Sequence, residues 1–224
     1  MPTLRAITGS PGFLLAYEKQ TAHRGNLIRI RFYPTLAALL AGRFTAQRDL
    51  PRLFSPYNNG TPTILWAQWR GSLSRSAIGL GFHYESAPNG WHGPDREALG
   101  ILRGFRTWTA RTDPAADAAL DHQGLAGSHG DWRQFEFDGL RWRVYEGQTS
   151  FNDFGSWRVV LENPSSGETY SLALRMGSQT VASSFANPVA SVELGPGGQG
   201  PMLVVTMYLF AAPVQGELVY YQPI

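Results

Sequence analysis

Trp132-Arg-Gln-Phe-Glu-Phe-Asp-Gly-Leu-Arg-Trp-Arg-Val-Tyr145 is two alternating segments on either side of Asp138-Gly139. An Asp-Gly pair between such segments favours a two-residue type I′ turn, in which both central residues take positive φ. The register that follows pairs Phe137 with Leu140 and Phe135 with Trp142 on one face. It sets Glu136 opposite Arg141 on the other face, a cross-strand ion pair of the kind that contributes roughly 0.2–1 kcal/mol. The stretch predicts a β-hairpin, and the rest of the chain repeats its pattern.

Toward the C-terminus, Trp157–Glu162 and Thr169–Arg175 flank the turn Asn163-Pro-Ser-Ser-Gly167 and read as strands. Val181–Leu194 reads as a strand interrupted at Asn187-Pro188. The glycine-rich segment from Gly195 leads into Pro201-Met-Leu-Val-Val-Thr-Met-Tyr-Leu-Phe-Ala-Ala-Pro213, the most apolar run in the chain. A bilayer-spanning helix needs about 20 apolar residues, so this run is too short to be one. Uncharged, rich in β-branched and aromatic residues and bounded by prolines, it predicts a central strand buried on both faces. The preferred reading has it inserted into its own sandwich, with exchange into a neighbouring subunit as the variant the glycine linker would permit. Leu218–Tyr221 is a last strand.

Toward the N-terminus, Ile101–Arg111 reads as one strand, Pro114–His122 as a short helix with proline in its first turn, and His122–Asp131 as loop. Thr63–Arg70 and Ala77–Glu85 form a hairpin around Gly71–Ser76, and Gly79 and Gly81 mark a bend or a close approach by another group. Thr35–Phe44 predicts a second short helix, capped by Thr35, ended by Gly42, with Leu36, Leu39 and Leu40 on one face. In Asn26–Tyr33 the positions Ile28, Ile30 and Phe32 alternate with Leu27, Arg29 and Arg31, which turns the isoleucine face inward. Phe13–Glu18 precedes it. With about ten strands and two short helices in connecting loops, the chain reads as all-β: a single large β-sandwich or jelly-roll-like domain over residues 1–224.

Composition narrows the function classes. Charged residues are 16% of the chain, against about 25% in ordinary domains. That deficit, with 12% aromatics, suits a subunit that covers much of its surface with neighbours. The absence of cysteine excludes disulfides, thiolate catalysis and Cys-ligated zinc. The net charge is +2 and the arginines are scattered, so no nucleic-acid specificity is evident. No secretory leader and no transmembrane-length window are visible, and the expectation is a soluble protein of a virion or extracellular assembly.

Two overlapping sets of residues could carry chemistry. His83, Glu85 and His92 offer two imidazoles and a carboxylate, a donor set for zinc or iron. Trp91, His92 and Asp95 form a loop that could hold a ligand. Asp113, Asp117, Asp121 and His122 read as a solvated helix face, since Asp117 and Asp121 are four apart and repel. No Gly-x-Ser-x-Gly elbow or phosphate-binding glycine loop occurs. Trp66 and Trp69, three apart on one strand, face opposite ways.

The leading expectation is a non-enzymatic structural protein that needs no cofactor, most concretely a capsid or spike subunit of a virion. Its partners would be copies of itself or other structural subunits. A carbohydrate-binding β-sandwich module is the alternative, and a metal-dependent enzyme centred on His83, Glu85 and His92 the second alternative.

Overall fold

The computed structural model describes residues 2–21, 25–87, 90–171, 175–176, 179–180, 185–195, 200–209 and 216–222. The protein is all-β, its sheets are antiparallel, and its two α-helices are short connections. The chain divides into two compact units, 1–113 and 114–224. The boundary falls at Asp113-Pro114, where the composition of the sequence shows no break.

The N-terminal unit holds two four-stranded meanders. The first comprises β1 (Thr3–Ala6), β2 (Phe13–Gln20), β3 (Asn26–Tyr33) and β4 (Ala46–Asp49). The second comprises β5 (Asn59–Gln68), β6 (Ala77–Glu85), β7 (Asp95–Arg103) and β8 (Thr107–Thr112). Alternation decides which side of each strand is covered. Leu14 and Ala16 of β2 and Ile28, Ile30 and Phe32 of β3 are buried, as the isoleucine pattern predicts, and face Ile78, Leu80, Phe82, Ala98 and Leu102 of the second sheet. Two sheets closing on one apolar layer make a β-sandwich. Each fully buried Leu, Ile or Phe contributes roughly 1.5–3 kcal/mol to holding them together. Side chains of β1 also seal the open edge of β5, with Thr3 Oγ1 and Arg5 Nη1 donating to the carbonyls of Pro62 and Ile64 (2.5 and 3.2 Å).

Strands β3 and β4 of the first sheet are joined through α1 (Leu36–Leu40), capped as expected by Thr35 Oγ1, which accepts from Ala38 N at 3.1 Å. Its leucine face is not buried: Leu36 and Leu40 are exposed. The expected single strand Ile101–Arg111 is instead the β7–β8 hairpin, reversed at Gly104 and Phe105, both with φ +56°. Phe105 accepts that backbone because its ring is buried in the core.

The C-terminal unit begins with α2 (Pro114–His122), matching the predicted helix, and continues into β9 (Ser128–Phe137) and β10 (Leu140–Gln148). These two strands form the hairpin read from the sequence. Asp138 and Gly139 have φ +50° and +69°, and the pairs are Phe137 with Leu140, Glu136 with Arg141 and Phe135 with Trp142. The sheet is completed by β11 (Trp157–Asn163) and β12 (Glu168–Ser171). After a short hairpin of β13 (Arg175–Met176) and β14 (Gln179–Thr180) comes a three-stranded sheet of β15 (Phe185–Leu194), β16 (Pro201–Leu209) and β17 (Gly216–Gln222).

The apolar run is therefore a central strand, paired on both sides within its own chain. Met202, Leu203, Val204 and Val205 are all buried, so both of its faces are covered there; residues 210–213 of the run lie outside the described residues. Leu203 and Val205 pack with Phe137, Val144, Val159 and Leu161 of the four-stranded sheet, a second sandwich core. In every sheet the strands follow chain order, so the connectivity within each sheet is that of a meander. No helix among the described residues is long and apolar enough to cross a membrane.

Candidate functional site

Strand β6 delivers His83 and Glu85, and the loop that follows returns as β7 with Asp95 directly opposite Glu85. Backbone bonds pinch this loop at its base: Ser86 N donates to Pro94 O (3.0 Å) and Gly93 N to Ser86 O (2.9 Å). The pinch swings His92 back so that its Nδ1 meets Glu85 Oε1. On its ring face His92 packs against Tyr57, with centroids 3.9 Å apart, and the Tyr57 hydroxyl donates to the carbonyl of Gly90. Glu85 and Tyr57 thus brace the loop at Gly90 and His92, and Trp91, next to the braced histidine, stands 75% exposed.

Of the expected metal ligands, Glu85 and His92 meet, and His83 does not join them. No single point is within ligand distance of all three. His83 is buried, its ring lying over Gly60 in the space that a Cβ there would occupy. A carboxylate oxygen of Glu18 lies within 4.8 Å of a His83 ring nitrogen. Burial pushes the Glu18 carboxyl up, but the His83 charge and the hydrogen bonds from Thr61 outweigh it and hold the group below the usual carboxylate range. Of the expected ligand-binding residues, Trp91 and His92 are exposed and adjacent, and Asp95 is half-buried at the start of β7.

The tryptophans divide by environment. Trp69 packs into the N-terminal core and stacks on Phe32, whereas Trp66 lies on the opposite, outer face and is 39% exposed, the divergence that a three-residue spacing requires. Trp108 also joins the N-terminal core, Trp142 the C-terminal one, and Trp132 is fully buried.

One charged constellation has little trace in the sequence. His129, at the start of β9 where the sequence reads as loop, is completely buried; its Nδ1 is 2.8 Å from Asp117 Oδ1 and its Nε2 3.2 Å from Asp121 Oδ1. The two aspartates, expected to be a solvated face, are one turn apart on α2 and grip the imidazole from both sides. Their four-residue spacing is the only local sign of it. Nearby, burial pulls the Arg133 guanidinium down against the opposing charges of Asp131 and Glu146. The two aspartates and the histidine fix α2 to the sheet beneath it.

No protein-family model matches the chain, and no curated protein matches it.

Proposed function

We propose that the protein is a non-enzymatic assembly subunit, most concretely a capsid or spike subunit of a virion, that binds copies of itself or other structural subunits. The observation that carries this reading is Trp91. A large aromatic side chain held in solvent on a loop braced by Tyr57 and Glu85 is suited to insert into a partner's pocket. Bracing lowers the ordering cost of binding, since the loop need not be immobilised at the moment of contact. The low share of charged residues supports the same reading, because charge is depleted at the centre of interfaces.

Mass measurement in solution across a concentration series tests it. The expected result is a concentration-dependent oligomer, alone or with its structural partner, that Trp91→Ala shifts toward monomer by at least about tenfold in dissociation constant. A chain that stays monomeric at every concentration and is indifferent to Trp91→Ala in pull-downs of its neighbours overturns the reading.

A further inference from the structure

Sheet register places a second exposed tryptophan in a different setting. Trp66 of β5 pairs with Gly79 of β6, Gly79 with Ile101 of β7, and Ile101 with Thr109 of β8, so these four form one row across the outer face of the second N-terminal sheet. A Cβ at Gly79 would strike the indole. The indole therefore lies across the strand rather than standing off it. This explains the glycine: it lets the ring settle onto the sheet, with the other side of the indole left to solvent.

Hollows open on both sides of the ring. One of about 410 Å3 is lined by Trp66, Leu99, Ile101, Thr109 and Arg111, and one of about 280 Å3 by Trp66, Gln68, Arg70, Arg75 and Arg103. They share Trp66 and Ile101. The larger hollow falls in the lower range of small-ligand sites, roughly 300–1,000 Å3, and the smaller lies just below it. The four arginines are exposed. Arg70 donates to Gln68 Oε1 and Arg103 to Thr109 Oγ1, and none of the four is ion-paired with a carboxylate among the described residues. The carboxylates on this face, Glu97 and Asp113, are buried at its far end.

We propose that this face is a binding site for an acidic oligosaccharide, with a sugar ring stacked on Trp66 and its carboxylate taken by Arg103 or Arg111. A flat aromatic ring suits the apolar side of a pyranose. A planar guanidinium grips a carboxylate through two parallel hydrogen bonds. A single-stranded nucleic acid would engage several stacked bases in succession, each on its own aromatic side chain. Trp66 is the one aromatic ring in this row, so the single platform favours the saccharide. The site does not depend on Trp91 or on assembly.

Titration calorimetry with tetragalacturonate, a hyaluronan tetrasaccharide and sialyllactose, against neutral chitotetraose and a dT10 oligonucleotide, tests the proposal in the parent and in Trp91→Ala. At least one acidic sugar should bind about tenfold or more tightly than chitotetraose. Trp66→Ala should lower that affinity at least about tenfold, and Trp66→Tyr should restore most of it. The double variant Arg103→Gln/Arg111→Gln, made at exposed positions that leave the fold intact, should abolish the preference for acid over neutral sugar. The proposal is overturned if no acidic sugar binds the parent, if binding ignores both the Trp66 and the arginine variants, or if dT10 binds more tightly than every sugar.

Discussion

Glu18 on β2 accepts two hydrogen bonds from Thr61 on β5, from its backbone N at 2.6 Å and from Oγ1 at 2.7 Å, and so ties together the two sheets of the N-terminal sandwich. Thr61 has φ +21°, unusual for a residue with a β-branched side chain, at a point where the β5–β6 register shifts. Asn26 Nδ2 donates to the second oxygen of the same carboxylate at 2.7 Å. A carboxylate that receives three such bonds is a fixed anchor for the bulge. Glu18→Gln keeps an acceptor but removes the charge, and is expected to cost about 1–3 kcal/mol; Thr61→Ala, which leaves the backbone bond, about 1 kcal/mol. Both should appear as a lowered urea midpoint at unchanged slope. Equal midpoints for parent and Glu18→Gln would refute the anchoring role.

Acid sensitivity should be visible at Asp49. Arg29 donates to it twice (2.5 and 2.8 Å) and Lys19 once (3.0 Å). The Arg29 hydrogen bonds outweigh partial burial and hold the Asp49 carboxyl at about 2, below its ordinary 3.8. The folded state thus binds this proton more weakly than the unfolded state does. The stabilisation is complete above about pH 4 and is lost as the pH falls toward about 2. Since the side chain is 35% exposed, screening trims the effect to about 1 kcal/mol or less. Asp49→Asn should therefore be less stable than the parent near neutrality, with the gap closing in acid. A gap that stays constant down to about pH 2 would show that the loss is packing and not charge.

What the sequence conveyed and what it withheld follow from the range of the interactions. The Asp138-Gly139 hairpin and the inward isoleucines of β3 are set by turn chemistry and alternation, which are local, and both were legible. So was the divergence of Trp66 and Trp69. The β7–β8 turn was not legible, because Phe105 takes positive φ only for the sake of a core contact that lies elsewhere in the chain. Leu36 and Leu40 misled in the opposite direction, since a helical stripe says nothing of whether a surface exists to receive it. In the candidate site, the meeting of Glu85 with His92 needed only the loop between them. The departure of His83 needed Gly60, on another strand.

His129 provides the strictest test of a buried polar contact. Both ring nitrogens face a carboxylate oxygen, Nδ1 that of Asp117 at 2.8 Å and Nε2 that of Asp121 at 3.2 Å. His129→Ala removes a completely buried side chain that holds Asp117 and Asp121, whose own side chains are 19% and 43% exposed, and a loss of about 1–3 kcal/mol in the stability of the C-terminal unit is expected. His129→Gln, which keeps a hydrogen-bond donor toward the helix, should recover part of that loss. Thermal unfolding followed by circular dichroism reads both. If His129→Ala were as stable as the parent, the triad would have no role in fixing α2.

Gly139 and Gly60 are both glycines by necessity, for different reasons, and a pair of substitutions separates them. At Gly139 the backbone has φ +69° and nothing lies within 4 Å of where a Cβ would be, so the obstacle is conformational alone. Gly139→Ala should cost about 1 kcal/mol, and Gly139→Asn should recover part of it, because asparagine tolerates the left-handed region. At Gly60 no positive φ is involved, and the His83 ring fills the space. Gly60→Ala must push that imidazole off β5 and away from Glu18, so asparagine should be worse than alanine there. Unfolding midpoints of the four variants decide it. The same order of Ala and Asn at both positions would mean that His83 yields freely, and that its seat over Gly60 does not hold it in place.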